Sequence, residues 1–164
     1  MDETRMLQLL NSSPTEGGQR RELLVDDDAT RDLVTALGGE LTERSLVELR
    51  GVRDDLHRIV RREADTNVLQ RHLDGVTGRP VIDDGAVVWH VDASAVEAIA
   101  PAVVLAWTDL TARFPGRVRA CANDECSKFL IDHSRPNSAR WCSMADCGNR
   151  LKARRHSARQ SSAD

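Results

Sequence analysis

Tyrosine is absent from this chain of 164 residues, and with two Phe and three Trp the aromatic share is only 3%. A core must therefore rest on Leu, Val, Ile and Ala, and at this length it will be thin. Long apolar runs are missing too. None approaches the roughly eighteen residues that a membrane-spanning helix needs, and residues 1–20 lack the basic start and apolar centre of a signal peptide. The protein is expected in the cytoplasm, off the membrane. Lysine is scarce, with Lys128 and Lys152 alone among 23 basic residues. The five histidines, His57, His72, His90, His133 and His156, are scattered, and no Ser/His/Asp set, Gly-rich phosphate loop or paired-carboxylate motif accompanies them. The expectation is a binding protein and not an enzyme.

Hydrophobic residues make up 40% and charged residues 30%, which suits a globular chain. The length holds one ordinary domain, or a modest one with a small appendage. A net charge of −3 conceals a division near Ala112. Residues 1–112 carry 12 Arg against 21 acidic residues, a balance of −9, whereas residues 113–160 carry 11 Lys plus Arg against Asp124, Glu125, Asp132 and Asp146, a balance of +7. Either the two segments face different partners, or they attract each other within one molecule.

Residues 1–27 give a weak signal: Met6, Leu7, Leu9 and Leu10 form a short apolar stretch before a turn-rich segment over residues 11–19. Leu33, Val34 and Leu37 are spaced as a short helix stopped by Gly38-Gly39. Thr42 then caps a longer amphipathic helix carrying Leu46, Leu49, Val52, Leu56, Ile59 and Val60 as far as about Ala64. Val68, Leu69, Leu73 and Val76 predict one more short helix. The period changes after Pro80, where Val81-Ile82 and residues 87–91 flank Asp84-Gly85 as a β-hairpin with Trp89 on the face of Val87 and Val91. Ser94 and Glu97 make a capping-box pattern for a helix bearing Ile99, Val103, Val104, Trp107, Leu110 and Phe114. Pro101 either kinks that helix or moves its start to near Ala100. Pro115-Gly116 ends it and marks a boundary. The chain reads as α+β: a mostly helical domain with a β-hairpin over residues 1–115, then a small module over residues 117–159 with its own apolar set.

All four cysteines lie in that module, as C-x4-C-x15-C-x4-C over Cys121, Cys126, Cys142 and Cys147. Two pairs on tight turns supply the four thiolates that zinc favours, with little loop entropy left to lose. Two disulfides are the alternative, disfavoured in the cytoplasm, and buried free thiols fit poorly with Ala122-Asn123-Asp124-Glu125 between the first pair. Four cysteines close the shell against water, so the expected cofactor is one structural zinc. His133, just after Phe129-Leu130-Ile131, reads as a loop residue. Residues 117–121 and 128–132 can pair as a hairpin with the first cysteines at its tip, and the second pair starts a helix running to about Ala158. That is a treble-clef-like zinc finger with four cysteine ligands.

Arg140-Trp141-Cys142-Ser143-Met144, Cys147-Gly148-Asn149-Arg150 and Lys152, with Asp132-His133-Ser134-Arg135 upstream, resemble the CGNR zinc finger family over about residues 117–156. The resemblance implies a preceding ABATE domain, in proteins described as candidate stress-induced transcription regulators. Residues 1–115 resemble that domain through Leu9-Leu10-Asn11-Ser12, similar to its asparagine-containing opening, and through the Leu/Arg-rich helix over residues 46–60. The opening here is short and lacks the family's usual glycine and aromatic residues.

Arg150, Lys152, Arg154, Arg155 and Arg159 crowd the last helix, and Arg135 and Arg140 sit on the loop before it. Asn149 and Arg150 stand near the helix's leading end, where bidentate contacts to bases in a major groove are geometrically open to them. Together these side chains are the candidate contacts to double-stranded DNA. A solvated helix, an RNA-binding module and a protein-interaction finger are the other readings; RNA recognition asks for exposed aromatics, and only Phe129 and Trp141 are at hand. The expected function is a DNA-binding transcriptional regulator associated with the nucleoid. Its N-terminal domain would sense a small-molecule effector or assemble a homodimer.

Overall fold

The computed structural model describes residues 1–16, 18–92 and 99–154. In chain order come α1 (Glu3–Leu10), β1 (Thr15–Glu16), β2 (Gln19–Arg20), α2 (Asp28–Ala36), α3 (Glu43–Val60) and a 3₁₀ helix (Thr66–His72). Then follow β3 (Thr77–Asp83), β4 (Ala86–Asp92), α4 (Ile99–Arg113), β5 (Val118–Ala120), β6 (Phe129–Ile131) and a π-helical turn (Met144–Gly148). The turn continues as α-helix over residues 149–154. The class is α+β: helices carry the core, and the strands pair as three separate antiparallel ribbons.

Side-chain caps start the first three helices. Asp2 accepts from the Arg5 N–H, Asp27 from Thr30 and Thr42 from Ser45, whose hydroxyl returns the bond to complete a capping box. The helix α1 lay hidden in the weak apolar stretch; Met6, Leu9 and Leu10 form its buried face. At its far end α3 stops at Val60 rather than near Ala64. Arg62 takes a φ of 62°, and the Glu63 N–H donates to the Arg58 carbonyl at 2.8 Å, a left-handed stop more often made by glycine. Residues 66–72 wind as 3₁₀ rather than α-helix, with Asp65 as the cap. The hairpin β3–β4 runs from Thr77↔Asp92 to Asp83↔Ala86, so it begins three residues before Pro80. Its turn residues Asp84 and Gly85 have φ of 46° and 76°, the primed geometry that matches strand twist. Ser94 and Glu97 lie outside the described residues. Pro101 falls in the first turn of α4 as described, where its missing N–H costs little.

Met6, Leu9 and Leu10 of α1, Leu33 and Val34 of α2, Leu49, Val52 and Leu56 of α3, and Ile99, Val103, Trp107 and Leu110 of α4 pack as one apolar cluster. Phe129 of β6 belongs to the same cluster. The finger thus shares part of its apolar set with the helices, since β6 packs on α1 and β5 on α3, while Leu130 is buried outside that cluster. An aliphatic core this thin is completed by one aromatic ring from the far side of the expected boundary.

Candidate metal centre and nucleic-acid interface

The register Val118↔Ile131, Arg119↔Leu130, Ala120↔Phe129 places Cys121 directly after β5 and Cys126 just before β6, at the tip of the hairpin as expected. The knuckle between them is closed by main-chain bonds, Cys121 N–H to Lys128 O and Cys126 N–H to Asn123 O, both at 2.8 Å. Cys142 precedes the Ser143 cap of the last helix, and Cys147 lies within its first turn. That turn is π-helical, closed by Gly148 N–H to Ser143 O at 3.0 Å. The wider turn accommodates four residues between the second pair of ligands. Ala122 N–H donates to Arg140 O at 2.8 Å and ties the two halves of the site together.

The four Sγ atoms lie within 4.8 Å of one another. Cys126 and Cys142, and Cys142 and Cys147, are each 3.6 Å apart, far outside a disulfide bond. Zinc–sulfur bonds of about 2.3 Å in a tetrahedron set sulfurs about 3.8 Å apart, so the cluster has the size the ion requires. Two donors aim at the sulfurs: Asn123 Nδ2 at Cys147 Sγ, 3.4 Å, and the Cys142 N–H at Cys121 Sγ, 3.5 Å. The Asn123 bond holds the Cys147 thiol below its ordinary range, whereas burial, joined by the neighbouring thiols, pushes Cys142 up. Four thiolates packed this closely ionise together only around a cation. Cys121, Cys126, Cys142 and Cys147 hold one structural zinc, and among the described residues no fifth side chain joins the cluster; His133 stands apart, beside Glu3 at 3.2 Å.

Beside the cysteines, a buried carboxylate shapes the loop that joins the two halves. Asp132 accepts the Ser134 N–H and the Ala139 N–H, both at 2.8 Å. Burial pushes its carboxyl up, but hydrogen bonds from Ser134 and Ala139, with the Arg119 guanidinium nearby, outweigh that and keep it below the usual range. Arg117 donates to the carbonyls of Asp132 and Ser134 at 2.8 Å, and Arg119 to the Asn137 carbonyl at 3.0 Å. Two of the basic residues in the +7 balance are thus structural. At Gly148 a Cβ would come within 2.7 Å of Met144 Sδ, the end of a flexible side chain that can swing away, and 3.3 Å of Trp141 Cδ1, a closer fit to the ring than a side chain usually makes. Met144 itself is exposed and lies on the surface of the turn.

With this geometry the comparisons agree. The family model of the CGNR zinc finger matches residues 117–160, and that of ABATE, described as "putative stress-induced transcription regulator", matches residues 3–113. The chain belongs to the ABATE family. No curated protein matches it.

In this ABATE protein the candidate DNA contacts fall into groups. Arg135, Arg140, Asn149, Arg150, Lys152 and Arg154 are exposed. Arg140 lies over the Trp141 ring, 5.2 Å from its centre, and Arg154 pairs with Glu125 of the knuckle at 2.7 Å. Arg135, Asn149, Arg150 and Lys152 have no side-chain hydrogen bond or ion pair among the described residues. Arg155 and Arg159 lie outside the described residues. Sequence reasoning missed Asn123, Arg117, Arg119 and Asp132 as builders of the site. An Asn between paired cysteines, and an Asp two residues before a Ser, are both Asx-turn signals that could have found two of them.

Proposed function

We propose that the chain is a transcription regulator whose zinc-held finger lays its basic face on duplex DNA. The observation that carries this reading is that the cations nearest the ligands in sequence are exposed: Arg135 and Arg140 on the loop, Arg150, Lys152 and Arg154 on the helix that follows. The zinc fixes the leading end of that helix, and with it Asn149 and Arg150, the residues best placed to read base edges in the major groove. RNA recognition is less favoured. Phe129 is buried, and Trp141 is half-buried with Arg140 over one face of its ring, so the finger does not present a freely exposed aromatic platform for bases. A zinc shell closed by four thiolates has no open position for water, in line with binding rather than catalysis. DNA binding would place the protein on the nucleoid, and no helix among the described residues is long and apolar enough to cross a membrane.

The N-terminal domain is read as the sensing or assembling part. A cleft of about 570 Å³ lined by Gln8, Asn11, Leu23, Leu24, Val25 and Thr30 has the size of a small-molecule site. A homodimer would strengthen the weak hold of a single finger, because the second finger then binds at a high effective concentration. Titration of the zinc-loaded chain with duplex DNA across a salt series tests the central reading. Each phosphate contact contributes a slope of about −0.9 in log affinity against log salt, so Lys152→Ala should flatten it by about one unit, whereas Arg150→Ala should cost about 1 to 3 kcal/mol on the preferred site. Unchanged affinity and slope in both variants, with zinc retained, would make the helix a solvated or protein-docking face.

A further inference from the structure

Asn11, His57, Arg61 and Phe129 meet where α1, the end of α3 and the finger hairpin converge, and neither the metal shell nor the basic face uses them. The Asn11 amide donates from Nδ2 to the Phe129 carbonyl at 3.2 Å, and its Oδ1 accepts the Phe129 N–H at 2.8 Å. One side chain thereby does for β6 what a neighbouring strand would do. The Phe129 ring is 1% exposed, stacked on His57 with ring centres 4.4 Å apart, and the Arg61 guanidinium lies 4.8 Å from its centre. Arg61 also donates to the Ser127 carbonyl at 3.3 Å, and the Ser127 hydroxyl accepts the Thr15 N–H at 2.7 Å. Every one of these contacts grips residues 127–129, immediately after the ligand Cys126.

We propose that this intramolecular docking surface makes zinc a cofactor of the whole chain, so that metal binding at the cysteines and folding of the α1–α3 layer are one linked equilibrium. The β5–β6 ribbon has three residues per strand and is too short to persist alone. The knuckle holds its open end, and the knuckle depends on the metal. Without zinc, β6 loses its fixed position, the Asn11 amide loses both partners in a buried setting, and the slot filled by Phe129 opens in the apolar cluster. Each loss falls on α1 or α3. Linkage is reciprocal: folding of the layer raises zinc affinity by the same factor with which zinc favours that folding, so a change in α1 or α3 that loosens the layer's hold on β6 lowers zinc affinity. Asn11, read from the sequence only as part of the domain's opening, is on this account a positioning residue for a metal site to which it supplies no ligand. The inference depends on the zinc centre and is independent of what the basic face binds.

The test uses the full chain loaded with zinc. Metal is withdrawn with a chromophoric chelator, which reports zinc affinity, while hydrogen exchange is followed in peptides from α1 and α3. Exchange in both helices should rise in step with metal loss. Asn11→Ala should bind zinc more weakly by a factor in the range typical of coupled sites, roughly 5- to 150-fold, although every ligand remains. Phe129→Leu, which keeps an apolar side chain in the slot but loses the ring contacts, should weaken zinc in the same direction and covers the case in which Asn11→Ala does not fold. Complete removal of metal with unchanged exchange in α1 and α3, or wild-type zinc affinity in whichever of these variants folds, overturns the proposal.

Discussion

Acidification should loosen the junction between helices and finger at one residue, His57. Burial drives its imidazole from the ordinary value down to about 4, helped by the charges of Arg61 and Arg53; the Leu10 carbonyl, which accepts from Nε2 at 2.7 Å, opposes the shift without reversing it. The folded state therefore holds His57 neutral, while the unfolded chain takes up a proton near pH 6.5. Its contribution is complete above pH 6.5 and is lost progressively as pH falls toward 4, to a total of about 3 kcal/mol. Between pH 7.5 and 5.5 the loss comes to about 1.3 kcal/mol, which lowers Tm by about 3 to 5 °C in a chain of this size. Thermal melts in saturating zinc, with metal content measured at each pH, would read it. Acid also releases thiolate-bound metal, so the decisive comparison is with His57→Gln, which keeps a donor for Leu10 but cannot titrate. That variant should melt lower at pH 7.5 and show a flatter pH dependence. Equal pH slopes in wild type and variant would refute the assignment of the acid sensitivity to His57.

Metal analysis of purified protein should give one zinc per chain, and Cys142→Ser should lose it; less than about half an equivalent in the wild type, with disulfides found instead, would contradict the thiolate cluster. Arg53 is 1% exposed and holds Glu22 through two bonds of 2.6 and 2.8 Å and Asp54 through one of 2.9 Å. Arg53→Met should cost about 2 to 3 kcal/mol by chemical denaturation, below the roughly 3 to 5 of a fully buried pair because both carboxylates keep contact with water. Glu125→Gln frees Arg154 from its ion pair, so affinity for duplex DNA should rise modestly at low salt and the gain should vanish at high salt. A gain that survives high salt would point to a change in the knuckle instead.

Most of the elements with strong periodicity or strong punctuation could be read directly from the residues. Gly38 stops α2 with φ of 80°, Asp84-Gly85 turns the hairpin, and the cysteine spacing announces the metal. Elements that depend on tertiary partners could not. The helix α1 is only eight residues long, and an isolated helix of that length is not stable; its burial against α3 and α4 decides it. Arg53 looks like an ordinary polar position on an amphipathic helix, and His57 like a half-buried structural one, because periodicity marks faces, not the buried partners that a particular face will meet. The docking of Phe129 was hidden for the same reason. An apolar triplet such as Phe129-Leu130-Ile131 shows that a strand is buried, but the surface that buries it lies more than a hundred residues away in sequence, at Asn11.

The opposite charges of the two segments gain a narrower meaning from this docking. If they served to hold the halves together, the junction would be rich in ion pairs between the acidic helices and the basic finger. Among the described residues the side-chain ion pair across it is His133 with Glu3, charged only when the imidazole is protonated, while the junction itself is made by an aromatic ring, an amide, main-chain groups and the Arg61 guanidinium, which meets a ring and a carbonyl and no carboxylate. The acids of the helical domain pair mainly with that domain's own arginines, Glu22 with Arg53 and Asp55 with Arg71. Arg117 and Arg119 are consumed by the loop of the finger, and Arg154 by Glu125. What is left over includes Lys128, Arg135, Arg150 and Lys152, exposed on one small module whose position relative to the helices is set mainly by contacts other than ion pairs, the Arg61 guanidinium on the Phe129 ring and the Ser127 carbonyl among them. Such contacts depend little on salt, whereas attraction between Lys128, Arg135, Arg150 or Lys152 and a polyanion depends on it strongly. Raising salt should therefore strip the protein from DNA while leaving the finger docked, and a chain that came apart at its junction in high salt would show that the charge division serves the fold instead.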